Sequence, residues 1–493
     1  MILSKETFAQ AAKEQTNLLH LPEKVLQFGT GVLLRGLPDY FIHNFNLAKK
    51  FNGRIAVVKS TEGDKQFFEN QNNLFTHCIR GLQHGDLVRK QFINASISRV
   101  LLANQEWEEV LKCASNPELQ LIISNTTEAG IVLVEEDIFA RPPASFPGKL
   151  AAFLHRRYKA FEGAPSAGMV IIPTELIVDN ADKLLSVVRE LARQNKLESD
   201  FIKWLENANE WCNSLVDCIV PGMPMPAERK AIEEETGYSD DLMIMSEPYR
   251  LWAVQSTSGR VAEMLDGAEG ELIVAPDISR FREMKLRLLN GTHTFCCGLA
   301  YLAGLETVTN AMKHAEFKKF AAALMHEEII PSMTSDNVPK EEAEIFAEKV
   351  LTRFSNPYIQ HKWISITVQY SSKMNMRNFP LIKAYLDRRG AVPPRMALAF
   401  AAHLLFMKSS PDTDGKFYGA YHGQRYPIAD VNADFYCEKW QSAPLEIAPE
   451  ILKNEKIWSV DLTPYPDFIK TVAHYLEALK SKDIFALINE TIK

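Results

Sequence analysis

Lys24-Val-Leu-Gln-Phe28 runs straight into Gly29-Thr-Gly31, and an apolar-periodic stretch covers about 32–48. A short apolar run, a glycine turn and an amphipathic stretch predict strand, tight turn and helix. Arg54-Ile-Ala-Val-Val-Lys-Ser60 is a second apolar run, and Leu119-Gln-Leu-Ile-Ile-Ser124 and Met169-Val-Ile-Ile-Pro173 are two more. Strands that alternate with helical stretches predict βαβ units and a parallel sheet. From about Phe281 helical periodicity takes over, over 318–326, 340–354, 395–407 and 466–487. Pro276-Asp-Ile-Ser279 offers a helix start between the two textures. The chain therefore divides, in expectation, into an α/β domain over 1–278 and a mostly α-helical domain over 279–493. Segments 141–148 and 409–415 read as loops.

The segment Phe28-Gly-Thr-Gly-Val-Leu-Leu-Arg-Gly36 lies between the first strand and the first helix. Gly29 permits the turn, and Gly31 lets the backbone approach a pyrophosphate at a helix N-terminus. This predicts a Rossmann-type dinucleotide site that includes Thr30 and Val32. Leu34 stands where the third glycine of GxGxxG is usual, with Gly36 two residues later. The acid expected at the end of the second strand is missing; Lys59, Ser60 and Thr61 stand there. A cation at that point tolerates a 2′-phosphate, so both NAD and NADP stay open. Asn125, Thr126, Thr127 and Glu128 follow the third strand. They are placed to line the nicotinamide end of a dinucleotide, or they form an ordinary polar turn.

Lys285, Asn290 and His293 share one apolar stretch, Phe281-Arg-Glu-Met-Lys-Leu-Arg-Leu-Leu-Asn-Gly-Thr-His-Thr-Phe295. On an α-helix they fall at about 0°, 140° and 80°, with Leu289 and Leu286 between them. Polar groups on a leucine-lined face are costly unless paired or used for chemistry. A desolvated lysine serves as a general acid or base near neutrality. Against this stands the plainer reading of a solvated lysine and a hydrogen-bonded core histidine.

Composition narrows the class. The chain has 493 residues and a formal charge of -7, which argues against a nucleic-acid partner. It has no apolar run of about 18 residues, so no membrane span is expected. The start lacks a basic region followed by an apolar core, so no signal peptide is expected and the location is read as cytoplasmic. Seven cysteines, an odd number without CxxC, fit reduced thiols rather than disulfides or structural zinc. No cluster at metal-ligand spacing is evident, so no metal is expected.

These residues resemble the long-chain mannitol dehydrogenase family, the polyol dehydrogenases and reductases. Lys285, Asn290 and His293 match its Lys-x4-Asn-x2-His signature, and the GxG followed by Arg35 is similar to its cofactor loop. Asn73-Leu-Phe-Thr76, Asn125-Thr-Thr-Glu-Ala-Gly130, Ser214-Leu-Val-Asp217, Glu247-Pro-Tyr-Arg-Leu-Trp252 and Arg353-Phe-Ser-Asn-Pro357 resemble further blocks, over about 20–430. Pro173-Thr-Glu-Leu-Ile177, Asp241-Leu-Met-Ile-Met-Ser246 and Tyr418-Gly419 with Tyr426-Pro427 resemble the subgroup acting on D-altronate and D-tagaturonate. The resemblance implies a Rossmann-type domain, a helical domain and an active site between them. It further implies NAD(H), no metal, and hydride exchange on a sugar acid in hexuronate breakdown.

Two departures stand out. Glu175-Leu176 replaces the family's acid–Asn pair, so Asn180 becomes the candidate for its first oxyanion asparagine. Arg282, with Glu283 beside it, replaces a glutamate before the lysine. The implied roles are Lys285 as general acid/base, its pKa lowered by Leu286 and Leu289, Asn290 and Asn180 as donors to the alkoxide, and His293 as an orienting group. The substrate carboxylate asks for a cation, and Arg250, Lys373 and Arg377 are candidates. Rival readings are a fructuronate reductase, a mannitol-type dehydrogenase, a non-catalytic dinucleotide-binding regulator and a helical scaffold with a relic Rossmann domain. The sequence leaves the oligomeric state open.

Overall fold

The computed structural model describes residues 1–126, 130–266, 271–442 and 446–492. Those residues form two compact units, Met1–Ile278 and Ser279–Lys493. In the first unit, strands β1 (Glu23–Phe28), β2 (Arg54–Lys59), β3 (Phe75–Gln83), β4 (Asp86–Asn94), β5 (Ile97–Leu102), β6 (Leu121–Ser124), β7 (Val170–Pro173) and β8 (Glu210–Trp211) precede β9 (Ser214–Asp217), β10 (Ile244–Ser246), β11 (Leu251–Gln255) and β12 (Leu272–Ala275). The main sheet runs β5-β2-β1-β6-β7-β8, and every pairing in it is parallel. This is the doubly wound order whose direction reverses between β1 and β6, where dinucleotides bind.

The apolar runs are continuous because both sheet faces are covered. Leu26, Phe28, Ala56, Val58 and Ile122 pack into one core cluster. Val25, Ile55, Val57, Leu121 and Ile123 pack into the other. Two smaller sheets, β10-β3-β4 and β12-β11-β9, extend the unit. The β3–β4 hairpin turns at His84 and Gly85, both with positive φ, as a two-residue turn of matching twist requires.

The predicted helix over 32–48 is two helices, α1 (Val32–Gly36) and α2 (Pro38–Leu47). Pro38 is the cause. It offers no N–H, and its ring disfavours helical geometry at Leu37, which sits at φ -125, ψ -74. The predicted loop over 141–148 contains a helix start. Phe146–Ala160 is capped by the Ser145 hydroxyl, which accepts from the Gly148 N–H at 2.9 Å. Helix α3 (Asn180–Gln194) follows β7.

The second unit is helical apart from a small antiparallel sheet, β13 (Ser409–Pro411), β14 (Phe417–Tyr421) and β15 (Gln424–Ile428). Part of the predicted 409–415 loop is therefore strand. One long helical stretch opens the unit: α4 (Ser279–Met284), a π turn (Lys285–Gly291) and α5 (Thr292–Leu302). Later come α6 (Tyr370–Arg377), α7 (Phe379–Arg389), α8 (Pro394–Phe406) and α9 (Pro466–Leu479). Helix α8 is buried on every side, from Arg395 to Phe406. It packs against α5 and α9, which makes it the core of the unit.

Candidate active site

Strands β1, β2 and β6 end together, so their following loops share one edge of the sheet. The Gly29 N–H donates to the Val58 carbonyl at 3.0 Å and the Asn125 N–H to the Phe28 carbonyl at 3.2 Å. Gly29 has φ +127, and a Cβ there would lie 2.9 Å from Leu34 Cδ1. Glycine is required on both counts. Gly31 is exposed, and a Cβ built on it meets nothing within 4 Å. That open space, at the start of α1 and on the switch point, fits a pyrophosphate. Gly36 does what the missing third glycine does elsewhere: a Cβ there would lie 2.6 Å from Val220 Cγ2. Close packing of the helix thus moves two residues along, and here it is against the segment that follows β9.

Thr30 and Val32 are half-buried in the same loop, and Ser60 is exposed at the end of β2. Lys59 folds back there. Its ammonium donates to the carbonyls of Thr61, at 3.3 Å, and Glu62. Beyond β6, Asn125 Nδ2 donates to the Thr174 carbonyl at 3.1 Å and hydroxyl at 3.0 Å. Thr126 donates from its N–H, at 2.8 Å, and its hydroxyl, at 3.0 Å, to Glu175 Oε1. Ser124 Oγ donates to Glu175 Oε2 at 3.1 Å. Burial raises the Glu175 pKa against these donors. Glu175 thus ties the loop after β6 to the end of β7, a role missed from sequence although its Pro-Thr-Glu-Leu context stood out. Thr127 and Glu128 lie outside the described residues.

In the second unit the π turn carries Lys285 and Asn290, both half-buried, and His293 follows on α5. A π turn bonds i to i+5, so residues five apart stack along the helix. Lys285 and Asn290 therefore lie on one side, rather than separated as on an α-helix. His293 stacks on Phe354 with ring centroids 4.2 Å apart and meets His361 edge-on at 5.4 Å. Burial, then the neighbours His361, Arg353, Arg377 and Lys373, hold it well below the usual histidine range. It is a neutral hydrogen-bonding group at working pH, not a cation.

Lys373 and Arg377 sit one turn apart on α6. Lys373 Nζ donates to the Ile366 carbonyl at 2.9 Å, and Arg377 Nη1 to Thr294 Oγ1 at 3.1 Å. Burial lowers both pKa values, and for Lys373 the Arg377 charge adds to it. Among the described residues neither has an acid within ion-pair distance, and Arg377 Nε is buried without a partner. Two cations with no acid in ion-pair distance among the described residues thus lie near a neutral histidine.

A family model of the mannitol dehydrogenase Rossmann domain matches residues 23–265, and one of the mannitol dehydrogenase C-terminal domain matches 277–480. The chain belongs to the mannitol dehydrogenase family. Altronate oxidoreductase of Bacillus subtilis (strain 168) is 38% identical over 462 residues, 92% of this chain and 92% of that protein. Altronate oxidoreductase of Klebsiella pneumoniae (strain 342) is 35% identical over 474 residues, 94% of this chain and 95% of that one. Among solved structures, Pseudomonas fluorescens mannitol 2-dehydrogenase in ternary complex with NAD and D-mannitol matches with TM-score 0.70 at 21% identity, over 99% of both chains. A substrate-free D-sorbitol dehydrogenase matches with TM-score 0.76 at 20% identity, over 96% of both. These two share the fold.

Three expected site residues of this mannitol dehydrogenase family member are placed otherwise than the sequence suggested. Asn180 is fully buried and its amide is spent. Nδ2 donates to the carbonyls of Pro173 (3.0 Å), Glu175 (3.0 Å) and Ser214 (3.1 Å), and Oδ1 accepts from the Ser214 N–H at 2.9 Å. No donor is left for an alkoxide, so Asn180 is a strut under the β7–α3 turn. Arg35 turns inward. It is buried, donates to the Leu242 carbonyl and lies over the rings of Phe68 and Phe75. Arg250 is buried in the first unit, 3.8 Å from the centroid of Tyr40, and donates to Pro248 O and Ser246 Oγ. Of the three expected substrate cations, Lys373 and Arg377 are the two that lie near His293, beside Arg353. Among the described residues no group of three or more His, Cys, Asp or Glu is placed to hold a metal ion, and no helix is long and apolar enough to cross a membrane.

Proposed function

We propose that this protein is an NAD-dependent altronate oxidoreductase, interconverting D-altronate and D-tagaturonate, with Lys285 as the acid/base. The observation that carries the sugar-acid reading is the pair Lys373 and Arg377, set near His293 with no acid within ion-pair distance among the described residues, Asp430 acting on Lys373 only from farther off. A neutral polyol needs no such pair; a hexonate carboxylate does. The names of the relatives at 35% and 38% identity point the same way.

Gly29, Gly31 and the start of α1 would hold the cofactor pyrophosphate, with Ser60, Asn125 and Thr126 along the rest of the dinucleotide. When bound, the nicotinamide supplies the hydride for reduction and accepts it in oxidation. Lys285 donates a proton to the carbonyl oxygen in reduction and takes it back in oxidation. Asn290, on the same side of the π turn, donates a hydrogen bond to that oxygen as charge grows on it. Neutral His293 orients the substrate or the lysine. Arg377 and Lys373 seat the carboxylate. Lys59 folds its ammonium back onto two backbone carbonyls rather than extending from the end of β2, and this reading takes NAD over NADP.

The test is NADH oxidation by purified protein with D-tagaturonate, D-fructuronate, D-fructose and fructose 6-phosphate, repeated with NADPH. Preference for tagaturonate with NADH is expected. A preference for fructose would remove the carboxylate seat from the account, and equal rates with NADPH would remove the reading of Lys59.

A further inference from the structure

Nothing within the sequence 285–291 itself imposes a π turn, which is rare and concentrates at functional sites. Its shape is held from outside, by the C-terminal end of α6. Arg287, inside the turn, donates from Nη1 to the carbonyls of Met376 at 2.9 Å and Arg377 at 2.8 Å. Those carbonyls end a helix, so they lack helical partners and carry its negative pole. Glu283 steadies the guanidinium from the other side, accepting from Nε at 3.0 Å. Asn378, the next residue, is fully buried and donates from Nδ2 to the Gly291 carbonyl at 3.0 Å. Thr294 Oγ1 accepts from Arg377 and donates to the Asn290 carbonyl at 2.9 Å. Three consecutive residues, 376–378, therefore grip the helical stretch on both sides of Asn290.

We propose that Arg287 and Asn378 are positioning residues, which clasp the π turn in the register that sets Lys285 beside Asn290. Releasing the clasp lets the stretch relax to α geometry, where the two side chains diverge. The clasp also ties that register to α6, the helix that carries Lys373 and Arg377, so the proton-transfer groups and the anion seat move as one piece. The inference rests on the reading of Lys285 and Asn290 as the reacting groups.

The test compares Arg287→Met, Arg287→Lys and Asn378→Leu with the parent enzyme in tagaturonate reduction. Arg388→Met is the matched control, because Arg388 likewise donates to two backbone carbonyls, those of Pro331 and Thr334, both at 3.1 Å. Arg287→Met and Asn378→Leu are expected to lower kcat about 10–100-fold, the scale of a misaligned reacting group. KM for tagaturonate and Kd for NADH stay within about threefold, and the pH profile of kcat shifts. Arg287→Lys keeps a donor and recovers part of the loss, while Arg388→Met keeps the parental kcat. The clasp is refuted if Arg287→Met matches Arg388→Met, or if kcat falls only in step with the folded fraction seen by circular dichroism. It is equally refuted if KM rises as kcat falls with the pH profile unmoved. Should Asn378→Leu fail to fold, the two Arg287 variants decide. Lys285→Ala, run alongside, separates the failures. An inactive Lys285→Ala with unaffected Arg287→Met sinks the clasp alone, whereas an active one sinks the acid/base reading and the clasp with it.

Discussion

Lys285→Ala removes the one group proposed to move a proton, so the loss belongs in kcat. Turnover is expected to fall about 10²–10⁴-fold, the usual worth of a general acid or base. NADH binding should hold, and fluorescence titration beside steady-state rates separates the two. Asn290→Ala is expected to lower kcat about 10²–10³-fold as an oxyanion donor is lost; an unchanged kcat would take it out of the mechanism. Asn180→Ala should behave differently. It orphans the Ser214 carbonyl and N–H, while the Pro173 and Glu175 carbonyls keep donors in the Ser214 hydroxyl and the Ile177 N–H, and each orphaned buried group costs about 1–3 kcal/mol. Denaturant melts should show about 2 kcal/mol or more lost, with kcat per folded molecule nearly intact. Asn180 and Asn290 are alike in sequence, each an amide in a motif. What distinguishes them is where the hydrogen bonds go, and for Asn180 those partners are the carbonyls of a turn that no residue pattern displays.

At the scale of elements, Gly36 carries the cost of a missing motif glycine. Gly36→Ala places a Cβ against the branched side chain of Val220, at 2.6 and 2.9 Å from its two methyls. Overpacking of this kind costs about 1–3 kcal/mol. The same push displaces α1, so Kd for NADH should rise, and Val220→Ala in the same chain should restore both. If Gly36→Ala binds and melts like the parent, the packing role is wrong. The βαβ pattern was readable because a two-sided sheet forces unbroken apolar strands and a glycine turn. The 32–48 helix broke at Pro38, a signal present in the sequence and outweighed there by periodicity. The π turn was not readable: it is set by donors and acceptors 90 residues away on α6. The three polar residues on the leucine-rich stretch were conspicuous, but their mutual geometry depends on that distant grip.

For the whole molecule, the buried titratable groups set opposing pH slopes. His43 is held down to about 4 and His403 to about 3 by burial, and burial also holds His77 and His293 well below 6.5. In each case the unfolded chain takes up a proton that the folded one refuses. Their contribution to stability is present above pH 6.5 and is lost as pH falls toward 4. Asp39 works the other way. It is fully buried, and burial pushes its pKa from 3.8 to about 8, only partly offset by Arg35 and the Gln27 amide. Glu328, capping the start of α8, is raised to about 7 by burial against its bonds from Arg395 and Met396. For such acids the folded state holds the proton more tightly. Their contribution is complete below the unfolded value and is lost as pH rises through the folded one. Above about pH 7.5 the histidines are neutral in both states, so these acids set the slope and stability should decline. Tm measured by calorimetry from pH 4 to 9 is expected to peak at about pH 6.5 to 7, where the two sets of protons balance. Asp39→Asn keeps the shape without the charge. It should flatten the alkaline limb and steepen the acid one, because Asp39 opposes the histidines at every pH from 3.8 to about 8, whereas limbs as steep as the parent's would show that Asp39 keeps an ordinary carboxylate's charge in the folded protein.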